Sequence, residues 1–219
     1  MKQSIMRLGL GIFLCNLFAG SLSVAIAAPV TFSFTGVVGH VDTSLFPNFN
    51  AGQSVSGSYT FESTTSLSAP GNRYNGAITA FTGSLGAYNA VLGTGNNFIA
   101  VRNNLTTGDH YIVSAPLAPV PAVSGLTSLR FRMELIDPSG QAFTSTNLPS
   151  APPSLSSFAT NRFRLIFEDA NGVARIRGSM TSLALTAVPL PAAVILFGAG
   201  LVALAGLGAG SRRHGNTGL

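Results

Sequence analysis

The chain has 219 residues, with 12 Lys and Arg against seven Asp and Glu, a single Cys and no Trp. Lys2, Arg7, Arg212 and Arg213 lie at the two ends, so the body keeps eight Arg and seven acids, a net of +1. That balance removes the high isoelectric point as evidence for a nucleic-acid partner, and one Cys excludes a disulfide framework.

Lys2 and Arg7 open the chain as a positive region, residues 8–24 follow as an apolar run, and Ala25-Ile26-Ala27 precedes Ala28-Pro29. This is the order of a secretory signal peptide over 1–27, cleaved after the small residues Ala25 and Ala27 and delivered by the Sec export machinery. Cys15, the only thiol, lies within that segment. The mature protein is therefore expected to hold no cysteine nucleophile and no thiolate metal site.

From 28 to 187 the apolar residues alternate. Val30, Phe32 and Phe34 interleave with Thr31, Ser33 and Thr35, the pattern of a half-buried strand. Further strands are expected at 55–61, 77–85, 88–92, 97–102, 110–115, 128–136, 161–168 and 174–185, parted by Gly, Pro and Asn. No amphipathic helix fits between them. The pattern predicts an all-β domain, an antiparallel β-sandwich of jelly-roll-like form, with one core. Two stretches read as loops: 114–124, with Pro116, Pro119 and Pro121, and 144–160, with Pro152-Pro153.

The last two strands form a hairpin around Asn171-Gly172, a type I′ turn signal. A two-residue loop there pairs Glu168 with Arg175 and Phe163 with Met180. A four-residue loop pairs Glu168 with Val173 and Phe163 with Gly178. The first matches charges and apolar side chains better and is the expected register. The segment 130–135 repeats the pattern of Arg outside and apolar inside, and is expected in the same sheet.

The inventory for chemistry is short. His40 and His110 are the only histidines of the body. His40-Val41-Asp42 sets an imidazole and a carboxylate on one strand face, but a metal needs three or four convergent ligands, and a solvated pair is expected. Asp42, Asp109, Asp137 and Asp169 are single loop carboxylates without EF-hand spacing. No nucleophile elbow, P-loop or dinucleotide signature occurs, so neither an enzyme nor a cofactor is expected. Arg130, Arg132, Arg162, Arg164, Arg175 and Arg177 have two readings: a surface for an acidic polysaccharide through bidentate contacts, or a face salt-bridged with Glu134 and Glu168. The second is the expectation.

The tail, 188–214, runs Val188-Pro189-Leu190-Pro191-Ala192, then an uncharged stretch to Gly210, then Ser211-Arg212-Arg213-His214. An uncharged run of about 20 residues makes a helix about 30 Å long, enough for a bilayer, so a transmembrane helix is predicted at about 191–210. The prolines fit its first turn, and Arg212 and Arg213 are its cytoplasmic stop. Gly and Ala fill 11 of the 19 positions from Ala192 to Gly210, which makes the span marginal.

In this order the tail resembles the VPLPA-CTERM signals, a variant of the PEP-CTERM sorting signals of Gram-negative bacteria. The resemblance covers 188–214 and leaves a short extension, 215–219. It implies that an exosortase, a membrane-embedded protease, removes the tail. The precursor would be anchored in the inner membrane facing the periplasm, and the body would end at the cell surface or outside, associated with exopolysaccharide or biofilm. A carbohydrate-binding module is the alternative for the body, and an extracellular hydrolase the next.

Overall fold

The computed structural model describes residues 29–186, apart from 70, 120, 121 and 171, together with Phe197 and Gly200. Among them no helix is long and apolar enough to cross a membrane. The expected cleavage residues Ala25 and Ala27, the motif 188–192, the expected stop Arg212-Arg213 and all but two residues of the predicted span lie outside the described residues.

Alternation in the sequence becomes pleat. The strands are β1 (Pro29–Val41), β2 (Ser54–Glu62), β3 (Arg73–Asn75), β4 (Ile78–Leu85), β5 (Tyr88–Val91), β6 (Phe98–Leu105), β7 (Gly108–Pro116), β8 (Thr127–Asp137), β9 (Thr160–Asp169) and β10 (Gly172–Leu185). Nine of them overlap the expected segments. The tenth, β3, is too short for alternation to register, and only Tyr74 of its three residues is buried.

All strands form one antiparallel sheet in the order β3-β6-β7-β8-β9-β10-β1-β2-β4-β5. From β6 to β10 each strand lies beside its successor, which is a meander and not jelly-roll connectivity. The expected sandwich of two sheets gives way to a single sheet that curls until its halves face each other. The long pair β1 and β10 carries the turn: its ladder shifts at Thr35/Gly36 and again at Val38/His40. Such bulges bend a strand and increase its twist, so the sheet passes from one half to the other without a break. At one rim the halves are stitched together where Gly93 N–H donates to Pro116 and Ala118 N–H to Val91.

Aromatic rings join the two inner faces. Phe34 of β1 stacks on Phe131 of β8 at 5.0 Å, and Phe131 meets both Phe81 of β4 at 5.0 Å and Phe163 of β9 at 6.2 Å. Each fully buried ring contributes about 1.5–3 kcal/mol. Beside this stack the hydroxyls of Tyr59 (β2) and Tyr111 (β7), both wholly buried, share a hydrogen bond of 3.0 Å. Burial pushes both phenols above their ordinary pKa; their mutual contact raises Tyr59 further and opposes the rise for Tyr111 without cancelling it, so the pair stays neutral.

The hairpin register is corrected. Glu168 pairs with Val173 and Phe163 with Gly178, and the ladder runs on to Asp169 and Gly172. Both registers put the same residues on the same faces, because they differ by two, so alternation cannot separate them. Packing does. A Cβ on Gly178 would lie 2.2 Å from Val37 O and 2.5 Å from the Phe163 ring, so the ring needs a glycine beneath it.

Gly178→Ala is expected to lower the free energy of unfolding by about 2–3 kcal/mol; an unchanged urea midpoint would contradict the register. Tyr111→Phe, which strands a buried Tyr59 hydroxyl, should cost about 1–3 kcal/mol, and the double change Tyr59→Phe/Tyr111→Phe should cost less than the sum of the singles.

Candidate functional site

Strands β3 and β6 to β10 turn Tyr74, Ile99, Val101, Tyr111, Val113, Phe131, Met133, Phe163, Leu165 and Ile176 into the core. The pleat must therefore send their neighbours outward. Those neighbours include Arg73, Arg102, Arg130, Arg132, Arg162, Arg164, Arg175 and Arg177, which are all the arginines of the body. Six were expected together; Arg73 and Arg102 join them because β3 and β6 continue the same surface. Arg73–Tyr74 and Val101–Arg102 repeat the alternation, the one sequence signal that could have placed them there. The outer face of β1, β2 and β4 differs, with hydroxyls bonded in pairs such as Thr31–Thr60, Thr35–Thr181 and Ser58–Thr82.

Glu134 is the hub of the arginine face. Arg132 Nη2 lies 2.6 Å from its Oε1, and Arg162 Nε and Arg164 Nη2 lie 2.7 Å and 3.3 Å from its Oε2. Its side chain is only 8% exposed. Partial burial pushes its pKa up, but the Arg162 hydrogen bond and the charges of Arg132, Arg164 and Arg162 outweigh this and hold the carboxyl below its usual range.

At the edge, Asp42 Oδ2 accepts the backbone N–H of Arg175, while its Oδ1 lies 3.4 Å from Arg177 Nη1 and 3.2 Å from His40 Nε2. Arg130 Nη1 donates to Ser114 Oγ and the Asn96 carbonyl. The expected Glu168–Arg175 pair does not form: Glu168 sits opposite Val173, and neither side chain has an ion partner among the described residues. The salt-bridged reading thus holds for Glu134 and fails for Glu168.

Four of the six arginine side chains, Arg132, Arg162, Arg164 and Arg177, share two carboxylates. Arg177, Arg164 and Arg132 are direct partners across β10, β9 and β8, with about 4.8 Å between neighbouring strands. Like charges in opposite positions oppose pairing. Two open depressions flank this row. One, of about 300 Å³, is bordered by Arg162, Arg164, Arg175 and Arg177; the other, of about 520 Å³, by Arg73, Phe98, Arg130 and Arg132 among others. The Arg73 guanidinium covers the Phe98 ring at 4.5 Å, and Arg132 Nε, shielded from solvent, has no acceptor among the described residues.

The remaining candidates act locally. His40 meets Asp42 as expected, and His110 Nε2 lies 2.9 Å from Thr107 Oγ1. Asp109 and Asp137 are cross-strand partners and buried, and they spend their oxygens on the backbone. Asp109 accepts Asn104 and Phe143 N–H; Asp137 accepts Ser139, Gln141 and Ala142 N–H and the Ser139 hydroxyl. They pin the start of the long 138–159 connection. The Ser139 hydroxyl foremost, then the Gln141 N–H, holds the Asp137 carboxyl below its usual range despite burial. No three His, Cys, Asp or Glu cluster as metal ligands among the described residues. All four tyrosines are buried.

No family model, no curated protein and no solved structure matches the chain.

Glu134 and Asp137 have folded pKa values below their unfolded ones. Their stabilisation is complete above the unfolded value, about 4, and is lost as pH falls through the lowered value. Glu134→Gln should therefore shrink the acid-induced drop in melting temperature. At neutral pH it should cost about 2 kcal/mol by leaving three guanidinium groups uncompensated, and added salt should recover part of that loss. A variant as stable as the parent in low salt would remove Glu134 as the hub.

Proposed function

We propose that this is an exported protein of the cell surface or extracellular matrix, held by its tail in the inner membrane as a precursor and released by an exosortase. The observation that carries the reading is where the body starts and stops. Phe32 of β1 pairs with Leu185 of β10, and Thr186 N–H donates to the Thr31 carbonyl. Both apolar ends of the sequence therefore leave from one pole of the sheet, a few residues from Ala27 on one side and Val188 on the other. This arrangement is compatible with a signal peptide and a transmembrane helix that enter the same membrane. The arginine face lies to the side of that pole and stays open to the surrounding medium while the tail is anchored.

A second reading, binding of carbohydrate by the body, is favoured by the arginine face and by no aromatic platform, since the tyrosines are all inside. For a hydrolase the paired carboxylates would have to face a cleft; Asp109 and Asp137 face backbone N–H groups instead.

Mass spectrometry of the protein from membrane and surface fractions tests the proposal. The expected mature form starts at Ala28 and lacks the residues beyond the 188–192 motif. Replacing the five glycines of the span by leucine should leave precursor in the membrane, because the helix no longer unwinds readily. Intact chain in the cytosol would overturn the reading.

A further inference from the structure

We propose that the outer face of β3 and β6 to β10 is a binding site for an acidic polysaccharide, a linear polymer of carboxylate-bearing sugars lying across the strands. The inference deepens the second reading above and depends on the exported location only for where the polymer is met.

Three observations carry it. The face concentrates all the cations of the body, although the body as a whole is close to neutral. A fold under selection for stability alone would scatter them, since the run Arg177–Arg164–Arg132 sets like charges opposite one another twice over. Next, Glu134 shows what these guanidinium groups do with a carboxylate: three of them converge on it, at 2.6, 2.7 and 3.3 Å. An incoming carboxylate would find the same forked donors on either side of that hub. Last, donors remain free of ion pairs where the two depressions lie. Among the described residues Arg175 has no side-chain partner and Arg130 bonds only neutral oxygens.

The shape selects the ligand. From β10 to β3 the face crosses six strands, a span of about 24 Å. The depressions are shallow and separate, which suits successive charged units of an extended chain and not one small anion. A single-stranded nucleic acid would need rings for its bases to stack on. The ring this face offers, Phe98, lies under Arg73. Lysine, the point charge that serves any phosphate, is absent from the body.

The test is affinity electrophoresis of the full chain in mild detergent, through gels holding polygalacturonate, dextran or polyphosphate. Retardation by polygalacturonate that weakens with salt, with none by dextran, is expected. Galacturonate oligomers shorter than the face should compete less well than the polymer. Arg130→Gln with Arg175→Gln removes two guanidinium groups that support no ion pair, so melting should hold while affinity falls about tenfold. Arg175→Gln alone should weaken binding in the same direction, which covers failure of the double variant to fold. Equal retardation by dextran, preference for polyphosphate, or full affinity in a folded double variant would each overturn the site. Failure here with the protein still recovered outside the cell removes the site and leaves the location; intact cytosolic protein that still binds polygalacturonate does the reverse.

Discussion

The two-residue period of the β-strand governs both the inside and the outside of this protein. In Arg130-Phe131-Arg132-Met133 and Arg162-Phe163-Arg164-Leu165 each cation is covalently bound to a core residue, so the aromatic stack and the arginine face are two readouts of one alternation. A slip of one residue in β8 or β9 would drive guanidinium groups into an apolar interior, at a cost of several kcal/mol each. The apolar core thus specifies the position of the charges more rigidly than any ion pair on the surface does. It also explains why a face with unfavourable cross-strand pairs persists, since burial of the rings on the other side outweighs the repulsion.

Arginine suits this arrangement for reasons beyond charge. Its stem lies along the pleat, its fork reaches sideways to a neighbouring strand, and it stays protonated when half buried. Glu134 links β8 with β9 in this way, and Asp42 ties the far end of β1 to β10 through both Arg177 and the Arg175 backbone. Asp42 therefore braces the β1–β10 seam at the end opposite to where the body begins and ends. The seam is where the sheet bends, so the contact also steadies the curl.

Strand positions were legible because alternation is local: it needs only five or six residues in a row, and it marked nine of the ten strands. Pairing was less so. The Gly178 register was set by the size of Phe163 and the nearness of Val37, both contacts between strands, whereas Asn171-Gly172 and the charge match of Glu168 with Arg175 pointed to a slip of two. A slip of two leaves the faces unchanged, and for that reason the six arginines share one face as expected, while of their two expected partners Glu134 pairs with them and Glu168 does not. Single-sheet topology was likewise beyond local patterning, since nothing in 29–41 or 172–185 announces that those two segments pair. Asp109 and Asp137 read as loop carboxylates, yet both lie at strand ends and are buried, because the adjoining loops turn N–H groups back on them.

The pairing of β1 with β10 connects the two scales of the molecule. It closes the meander into a curled sheet, and it brings the first and last residues of the body to one pole. Along β10 the Arg177 row stands about 27 Å from Leu185, so it is held away from whatever surface the ends enter. A cationic face set at the pole itself would lie against anionic lipid headgroups while the chain was tethered, and each Arg would gain on the order of 1 kcal/mol there. Set to the side and well above, the same charges would stay available to the proposed polymer both before and after the proposed removal of the tail. The pairing that puts both ends of the body at one pole would thus, under the proposed anchoring, also keep the anchor from covering the arginine face.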